Sequence, residues 1–276
     1  MPEGDTIFRS ARTLHRALAG RVVTRFESVL PALTRVDEDA PIKGRTIESV
    51  SSAGKHLLIG LSGSLVLRTH MRMNGSWHIY RRGERWRRPR REMRIVIATD
   101  AFEAVGFNIP VAEWLKGRER DRQNDLRLMG PDLLAETFDE EEALRRVRAH
   151  PDFAVADALL NQRFVAGIGN VYKSEVLFIC RVDPFAKVSM IDDGRLRAAL
   201  ARARRLLKAN VAIPSSAIVT YTGFRRTTGR LRPSDRLYVY GRAGKPCRRC
   251  GTPIRVQAQG PHARLTYWCP ACQATG

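Results

Sequence analysis

Residues 159–178 read "LLNQRFVAGIGNVYKSEVLF", and how this stretch is parsed decides the second half of the chain. A helix ends at Gln162, a glycine-containing turn follows, and Asn170 opens the next helix. Backbone amides in such a turn, added to a helix N-terminus, favour an anion. "GIG" alone is explained equally well by a tight connection between two helices, so the stretch takes its meaning from its surroundings.

Those surroundings are helical. "DEEEALRRVRAH" ends at Pro151 and "DFAVADALLNQ" follows; "VYKSEVLFICRV" stops before Pro184, and "DGRLRAALARARRLLKAN" is a long basic helix. From about residue 21 to 112 the texture is different. "RVVTRFESV", "RTIESVSS", "HLLIGL", "SLVLRTHM", "SWHIYR" and "EMRIVIAT" are short β-rich runs separated by Gly, Ser and charged clusters, the pattern of a β-sandwich or barrel. A leading amphipathic helix precedes them: "TIFRSARTLHRALA", residues 6–19, puts Ile7, Ala11, Leu14 and Leu18 on one face, and Gly20 stops it. Asp5 or Thr6 is the expected cap. The stretch 81–94, "RRGERWRRPRREMR", carries eight arginines and reads as an exposed hairpin loop, with phosphate contact as the alternative to a merely solvated face.

Four of the five cysteines, Cys247, Cys250, Cys269 and Cys272, form C-x2-C-x18-C-x2-C near the end of the chain. Two tight turns, each presenting two thiolates, suit one tetrahedral zinc ion. Four thiolates leave no open position, so the ion is structural. The residues between the pairs are enough for a β-hairpin whose tip, "QGPHARLT", presents His262 and Arg264. Cys180, alone in an apolar stretch, reads as a buried small hydrophobe.

The net charge of +20 implies a polyanionic partner, and nucleic acid fits better than a membrane surface because no basic amphipathic helix stands out. Hydrophobic content of 43% and charged content of 28% fit a globular protein. No apolar run reaches the roughly 18 residues of a spanning helix. No secretory signal is legible, and a cytoplasmic, nucleoid-associated location is expected.

The motifs together resemble the family of formamidopyrimidine-DNA glycosylase and endonuclease VIII. "MPEG" at the start, "AGK" at 53–55, "AGIGNVY" at 166–172, "VYGRAGKPCRRCGTPI" at 239–254 and "ARLTYWCPACQ" at 263–273 carry the resemblance over nearly the whole length, in order. It implies an α+β fold: an N-terminal β-sandwich with a leading helix (1–130), a helical helix–two-turn–helix domain (131–241) and a C-terminal β-hairpin zinc finger (242–276). It also implies that Met1 is removed, that the Pro2 nitrogen is the nucleophile, and that Glu3 protonates the deoxyribose ring oxygen. Lys55 would lie near the reacting sugar and its phosphate, and Asn170 and Arg264 would grip backbone phosphates. Met73, flanked by Arg72 and Asn74, would be the wedge that fills the stack after the base is extruded.

Within the family, "PEGDT" lacks the proline-rich opening of the 8-oxoguanine branch. The stretch "TDAFEAVGFNIP", taken as the loop after a strand-ending aspartate, lacks that branch's Arg-x-Phe wedge. The resemblance therefore points to the endonuclease VIII branch, with oxidised pyrimidines such as thymine glycol and 5-hydroxyuracil as substrates. Thr6 stands where many relatives have glutamate. The expected partner is damaged double-stranded DNA, with single-stranded or bubble DNA as further candidates, bound by a monomer. The alternatives are an 8-oxoguanine/formamidopyrimidine glycosylase or a non-catalytic lesion-binding protein of the same fold. A zinc-ribbon RNA-binding protein would explain the charge and the cysteines but leave the terminus and sandwich without a role.

Overall fold

Helix α1 (Gly4–Leu18) buries Ile7, Ala11, Leu14 and Leu18, the face the sequence periodicity marks. It begins two residues earlier than the capping expectation. Glu3 is the N-cap residue, its carbonyl accepting from the amides of Thr6 and Ile7, while Asp5 lies inside the first turn and accepts from Thr6 N. Gly20, at φ +78°, supplies the left-handed residue just past the helix.

The computed structural model describes residues 2–116, 124–212 and 225–274. The chain divides into two compact units, one taking the described residues through Arg127 and the other those from Leu128 onward. Unit 1 holds eight strands among its described residues: β1 (Arg25–Ser28), β2 (Ile47–Ala53), β3 (His56–Leu61), β4 (Leu65–His70), β5 (Ser76–Arg81), β6 (Met93–Ala98), β7 (Phe102–Phe107) and β8 (Val111–Lys116). They form two antiparallel sheets, ordered β1-β6-β7-β5 and β2-β3-β4-β8. Strand β3 alternates, turning Leu57, Ile59 and Leu61 inward to meet Leu67, Trp77, Ile79, Ile95 and Ile97 and the apolar face of α1 in one core.

Two of these strands are not evident in the sequence. "TDAFEAVGFNIP" is not a loop: Asp100 sits in the tight β6–β7 turn, and residues 102–107 are β7, paired on both edges. The loop that follows is only Asn108–Pro110, so the absence of an Arg-x-Phe pair holds, but on different residues. Helix α2 (Pro31–Asp39) is also unanticipated, since it buries only Leu33 and carries little apolar periodicity.

Unit 2 contains α3 (Glu140–Arg148), α4 (Val155–Leu160), α5 (Asn170–Ile179), α6 (Asp193–Val211) and the hairpin β9 (Arg255–Gln259) and β10 (Arg264–Trp268). Asp139 caps α3 and Asp192 caps α6 through their carboxylates. The helices share one apolar core, to which Val155, Leu159, Tyr172, Val176, Leu200 and Leu207 contribute. Helix α4 ends at Leu160, two residues short of the sequence reading, because Asn161 turns to extended backbone and its carbonyl takes the amides of Phe164 and Val165. Cys180 is half-buried at the end of α5, on the rim of this core.

Candidate active site and zinc module

Helix length and strand length bring the first set of expected site residues together. At the C-terminal end of α1, Gly20 N donates to Ile47 O at 2.8 Å, and further back His15 Nδ1 accepts from Val50 N at 3.1 Å. Running back from Gly20 to Gly4 covers about 24 Å of helix, and β2 from Ile47 to its far turn covers about 23 Å of strand. From these two anchors the start of α1, with Pro2 and Glu3, runs toward the β2–β3 turn that carries Lys55. That turn is the two residues Gly54-Lys55 between the paired Ala53 and His56, and Gly54 at φ +54° gives it type II′ geometry. Pro2 and Glu3 are buried and Lys55 is half-buried.

The wedge residues reach the same end. His56 pairs with His70, the last residue of β4, and the turn 71–75 begins there. Met71 is 1% exposed and belongs to the core, whereas Met73 is 53% exposed. Arg72 adopts a left-handed backbone at φ +45°, and its amide donates to His70 Nδ1 at 3.0 Å. Gly75 closes the turn with its amide on Met71 O at 2.8 Å, and a Cβ there would sit 2.5 Å from that oxygen. The turn thus projects Arg72, Met73 and Asn74 outward from a tightly closed base.

Sequence reasoning missed the two imidazoles that back this site. His56 and His70 lie edge to face with centroids 4.9 Å apart. Burial, then the His70, Arg68 and Lys55 charges, pushes His56 down to about 3; burial, then Lys55, Arg72 and Arg68, pushes His70 down to about 4. Both are neutral at pH 7, which leaves His70 Nδ1 free to accept from Arg72. The unfolded chain takes up these protons below about pH 6.5 and the folded one does not until about 3–4, so stability falls as pH drops through that window. Position alone, "GKH" and "THM" in separate runs, gives no sign of the pairing.

In unit 2, Asn170 is the first residue of α5, and its Nδ2 donates to Leu265 O at 2.6 Å, which brings it beside Arg264 on the hairpin. Arg264 is exposed, next to the Gly260–Ala263 tip. The glycine turn is not an open nest of amides, however. Phe164 and Val165 donate to Asn161 O, Ala166 to Pro131 O, and Gly167 to Gln162 Oε1 at 3.1 Å. Gln162 fills the turn from inside, its Nε2 also reaching Leu160 O and Ile168 O. The turn's rigidity, rather than its own donors, positions Asn170.

Two buried charges on α5 also escaped the sequence reading. Lys173 is fully buried, with Nζ 2.7 Å from Thr266 Oγ1 and 3.4 Å from Leu265 O, and it fastens β10 to the helix. Glu175 is fully buried and accepts from the amides of Tyr238, Val239 and Tyr240 at 2.8–2.9 Å and from the Thr227 hydroxyl. Burial pushes its carboxyl up, against these four donors. The available signal was a Lys and a Glu inside the apolar run "VYKSEVLF", since charges on a buried helix need partners. Glu175→Ala should leave the amides of Tyr238, Val239 and Tyr240 without this acceptor and cost about 1–3 kcal/mol for each group left unsatisfied. Hydrogen exchange should show residues 238–240 losing protection first; unchanged protection there would contradict this role.

The four cysteines converge. Their Sγ atoms lie within 4.8 Å of one another, with Cys247–Cys272 at 3.9 Å and Cys250–Cys269 at 3.4 Å. A tetrahedral zinc with bonds of about 2.3 Å needs sulfurs about 3.8 Å apart, so the set fits the ion. Gly251, at φ +81°, returns its amide to Cys247 O, and Arg249 N donates to Cys247 Sγ, as a knuckle around a metal requires. The cysteines hold one structural zinc ion.

Comparison with known proteins agrees with this geometry. The model for the formamidopyrimidine-DNA glycosylase N-terminal domain matches residues 1–110, that for the formamidopyrimidine-DNA glycosylase H2TH domain matches 129–222, and that for the zinc finger found in FPG and IleRS matches 244–275. A relative from Streptomyces coelicolor, named probable endonuclease 8 2, is 45% identical over 99% of this chain and 94% of its own length. The chain belongs to the formamidopyrimidine-DNA glycosylase family. The DNA-(apurinic or apyrimidinic site) lyase Nei2 of Mycolicibacterium smegmatis is 39% identical over 99% of both chains. A formamidopyrimidine-DNA glycosylase from Symbiobacterium thermophilum shares 30% over 99% of this chain and 89% of its own, so the chain falls on the endonuclease VIII side of the family. The Lactococcus lactis Fpg solved with abasic-site DNA has the same fold, with a TM-score of 0.81 at 22% identity over 99% of this chain and 100% of its own. Among the described residues, no helix is long and apolar enough to cross a membrane.

Proposed function

We propose that the protein is a bifunctional DNA glycosylase and abasic-site lyase of base excision repair. It excises oxidised pyrimidines from damaged duplex DNA as a monomer in the bacterial cytoplasm, on the nucleoid. What supports this reading is that α1 runs back from Ile47 toward the turn of Lys55, while the exposed Met73 turn follows His70, the partner of His56, on the strand beside that turn. A lesion-binding protein without chemistry would need the wedge but not the terminal Pro-Glu pair.

In this reading the Pro2 nitrogen attacks the sugar C1′, the base leaves, and a charged iminium remains. Glu3 donates the proton that opens the deoxyribose ring. Lys55, Asn170 and Arg264 hold the phosphates around the extruded nucleotide, contacts that fix register without reading sequence. Arg72, Met73 and Asn74 occupy the vacated stack. Base extrusion costs a few kcal/mol, which the wedge offsets. The resemblance to endonuclease VIII supports pyrimidine lesions; the segment 222–235, a candidate base-pocket loop, lies partly outside the described residues.

The test is excision from oligonucleotides carrying thymine glycol, 5-hydroxyuracil or 8-oxoguanine. Cleavage of the two pyrimidine lesions, leaving phosphate on both strand ends, is the expected result; preferential cleavage of 8-oxoguanine overturns the substrate assignment. Met73→Ala should slow excision from duplex about tenfold for each 1.4 kcal/mol of compensation lost. It should have less effect on single-stranded lesion DNA or on a preformed abasic site. An equal loss on all three substrates would make Met73 a residue of general structure.

A further inference from the structure

The connection between β5 and β6 holds six arginines, at positions 82, 85, 87, 88, 90 and 91. Strand register fixes the two ends of this connection. Arg81 pairs with Phe102 while Ser76 and Met93 both pair with Phe107, so the connection leaves one end of the sheet and returns at the other. The return end is that of Ser76, the residue after Gly75, and so of the wedge turn.

The segment is pinned along its length. Arg82 N donates to Ala101 O at the far end. Trp86 lies half-buried, edge-on to Phe107, with its indole N–H on Glu103. Arg87 N donates to the Tyr80 hydroxyl at 3.1 Å, and Arg88 Nη1 to Ser76 Oγ at 3.1 Å. Asn108 Nδ2 donates to Glu92 at 3.0 Å, tying the returning chain to the β7–β8 loop. Within this frame Arg88 is neutralised by Glu92 and Arg90 by Glu27, both at 2.8 Å. Arg87 and Arg91 are exposed and, among the described residues, have no carboxylate within 4 Å. Arg81 and Arg82 are in the same condition at the far end. The neighbouring loop, Asn108–Pro110, carries no charge. The arginines also act on their surroundings: burial, then Arg88 and Arg87, pushes His78 down to about 4.

We propose that Arg87 and Arg91 form a second phosphate-binding ridge, which holds the backbone of duplex DNA beside the wedge turn. The inference rests on the DNA-repair reading above and adds to it a contact surface on the sandwich, separate from the Asn170 and Arg264 grip. The partner follows from the charge. Two unpaired guanidiniums on a pinned backbone, in a chain of net charge +20, gain most from a regularly spaced polyanion, and the adjoining turn is the one read as entering the stack. Arg81 and Arg82 have the same chemistry at the end away from the wedge, and they take no part.

The full-length protein should be titrated against duplex carrying a tetrahydrofuran abasic analogue, over a range of potassium chloride concentrations. Each phosphate contact contributes about 0.9 to the slope of log affinity against log salt. The Arg87→Gln/Arg91→Gln double variant should flatten that slope by roughly two. A fourfold rise in salt should then weaken it about tenfold less than wild type. Arg81→Gln/Arg82→Gln, which removes the same charge, should leave the slope unchanged. Equal flattening in both pairs, or none in the first, overturns the ridge. Borohydride trapping of the wild-type protein, on duplex carrying a true aldehydic abasic site, reports the Pro2 chemistry separately. Wild-type protein that fails to trap would count against the Pro2 chemistry alone and leave the salt result to decide the ridge.

Discussion

Borohydride added during turnover should leave the protein joined to its DNA through Pro2, and peptide mapping should place the adduct on that residue. The reason lies in the amine. An α-amine titrates near about 8 and a lysine near about 10.4, so at pH 7 about a tenth of the first is unprotonated and well under a thousandth of the second. Proline is a secondary amine, so its adduct with C1′ is an iminium that keeps its positive charge without a proton. That charge accepts the electron pair released when C2′ loses hydrogen, and the bond from C3′ to its phosphate oxygen then breaks. A second elimination breaks the bond at C5′. Protein that retains Met1 has an amide nitrogen at Pro2, cannot form the iminium, and should have no lyase activity. Trapping at Lys55, which shares this end of unit 1, would move the nucleophile to the β2–β3 turn and overturn the assignment.

How much of this was legible in the sequence depended on how local the determinant was. The buried face of α1 and the runs that became β1 to β6 follow from periodicity and turn residues alone. Strand β7 does not: "FEAVGF" is covered on both faces over its last four residues, so alternation vanishes, and Gly106 within it reads as a break. Helix α2 is marginal in sequence because only Leu33 is buried. The cysteines were legible because ligand spacing is a local property. The pairing of His56 with His70 and the partners of Glu175 were not, since each depends on contacts across elements that no local pattern specifies. The convergence of Pro2, Lys55 and Met73 lies between these cases. The motifs named the residues through resemblance, and the matched lengths of α1 and β2 are the physical reason to expect them at one end of unit 1.

Removing the zinc should disarm DNA binding while leaving the sandwich intact. The core beneath the cysteine module is small: Phe178, Val239, Cys247, Ile254 and Cys269, two of which are ligands. So few apolar side chains cannot hold two knuckles closed, and in modules of this kind the metal supplies about 10–16 kcal/mol of apparent binding energy at pH 7. Without the cation the thiols also oppose one another. Burial, then contacts from Cys250, Cys269 and Cys247, pushes Cys272 up to about 12, so four thiolates are not sustained unaided. Cys250→Ser should therefore release about one zinc ion per chain. Hairpin β9–β10 would keep its contacts from Asn170, Lys173 and Ser174 on α5 but lose the anchor that follows Trp268. Arg264, at the start of β10, would no longer be aimed, so affinity for abasic-analogue duplex should fall and the slope of log affinity against log salt should flatten by roughly one. Trp77 and Trp114 lie in the sandwich core and Trp268 in the hairpin, so fluorescence separates the two effects. Unfolding of the sandwich should be unchanged, and the signal from Trp268 should change on metal loss. Zinc-free protein that binds DNA at full strength would show that the hairpin is held by α5 alone, and the metal's role in aiming Arg264 would be lost.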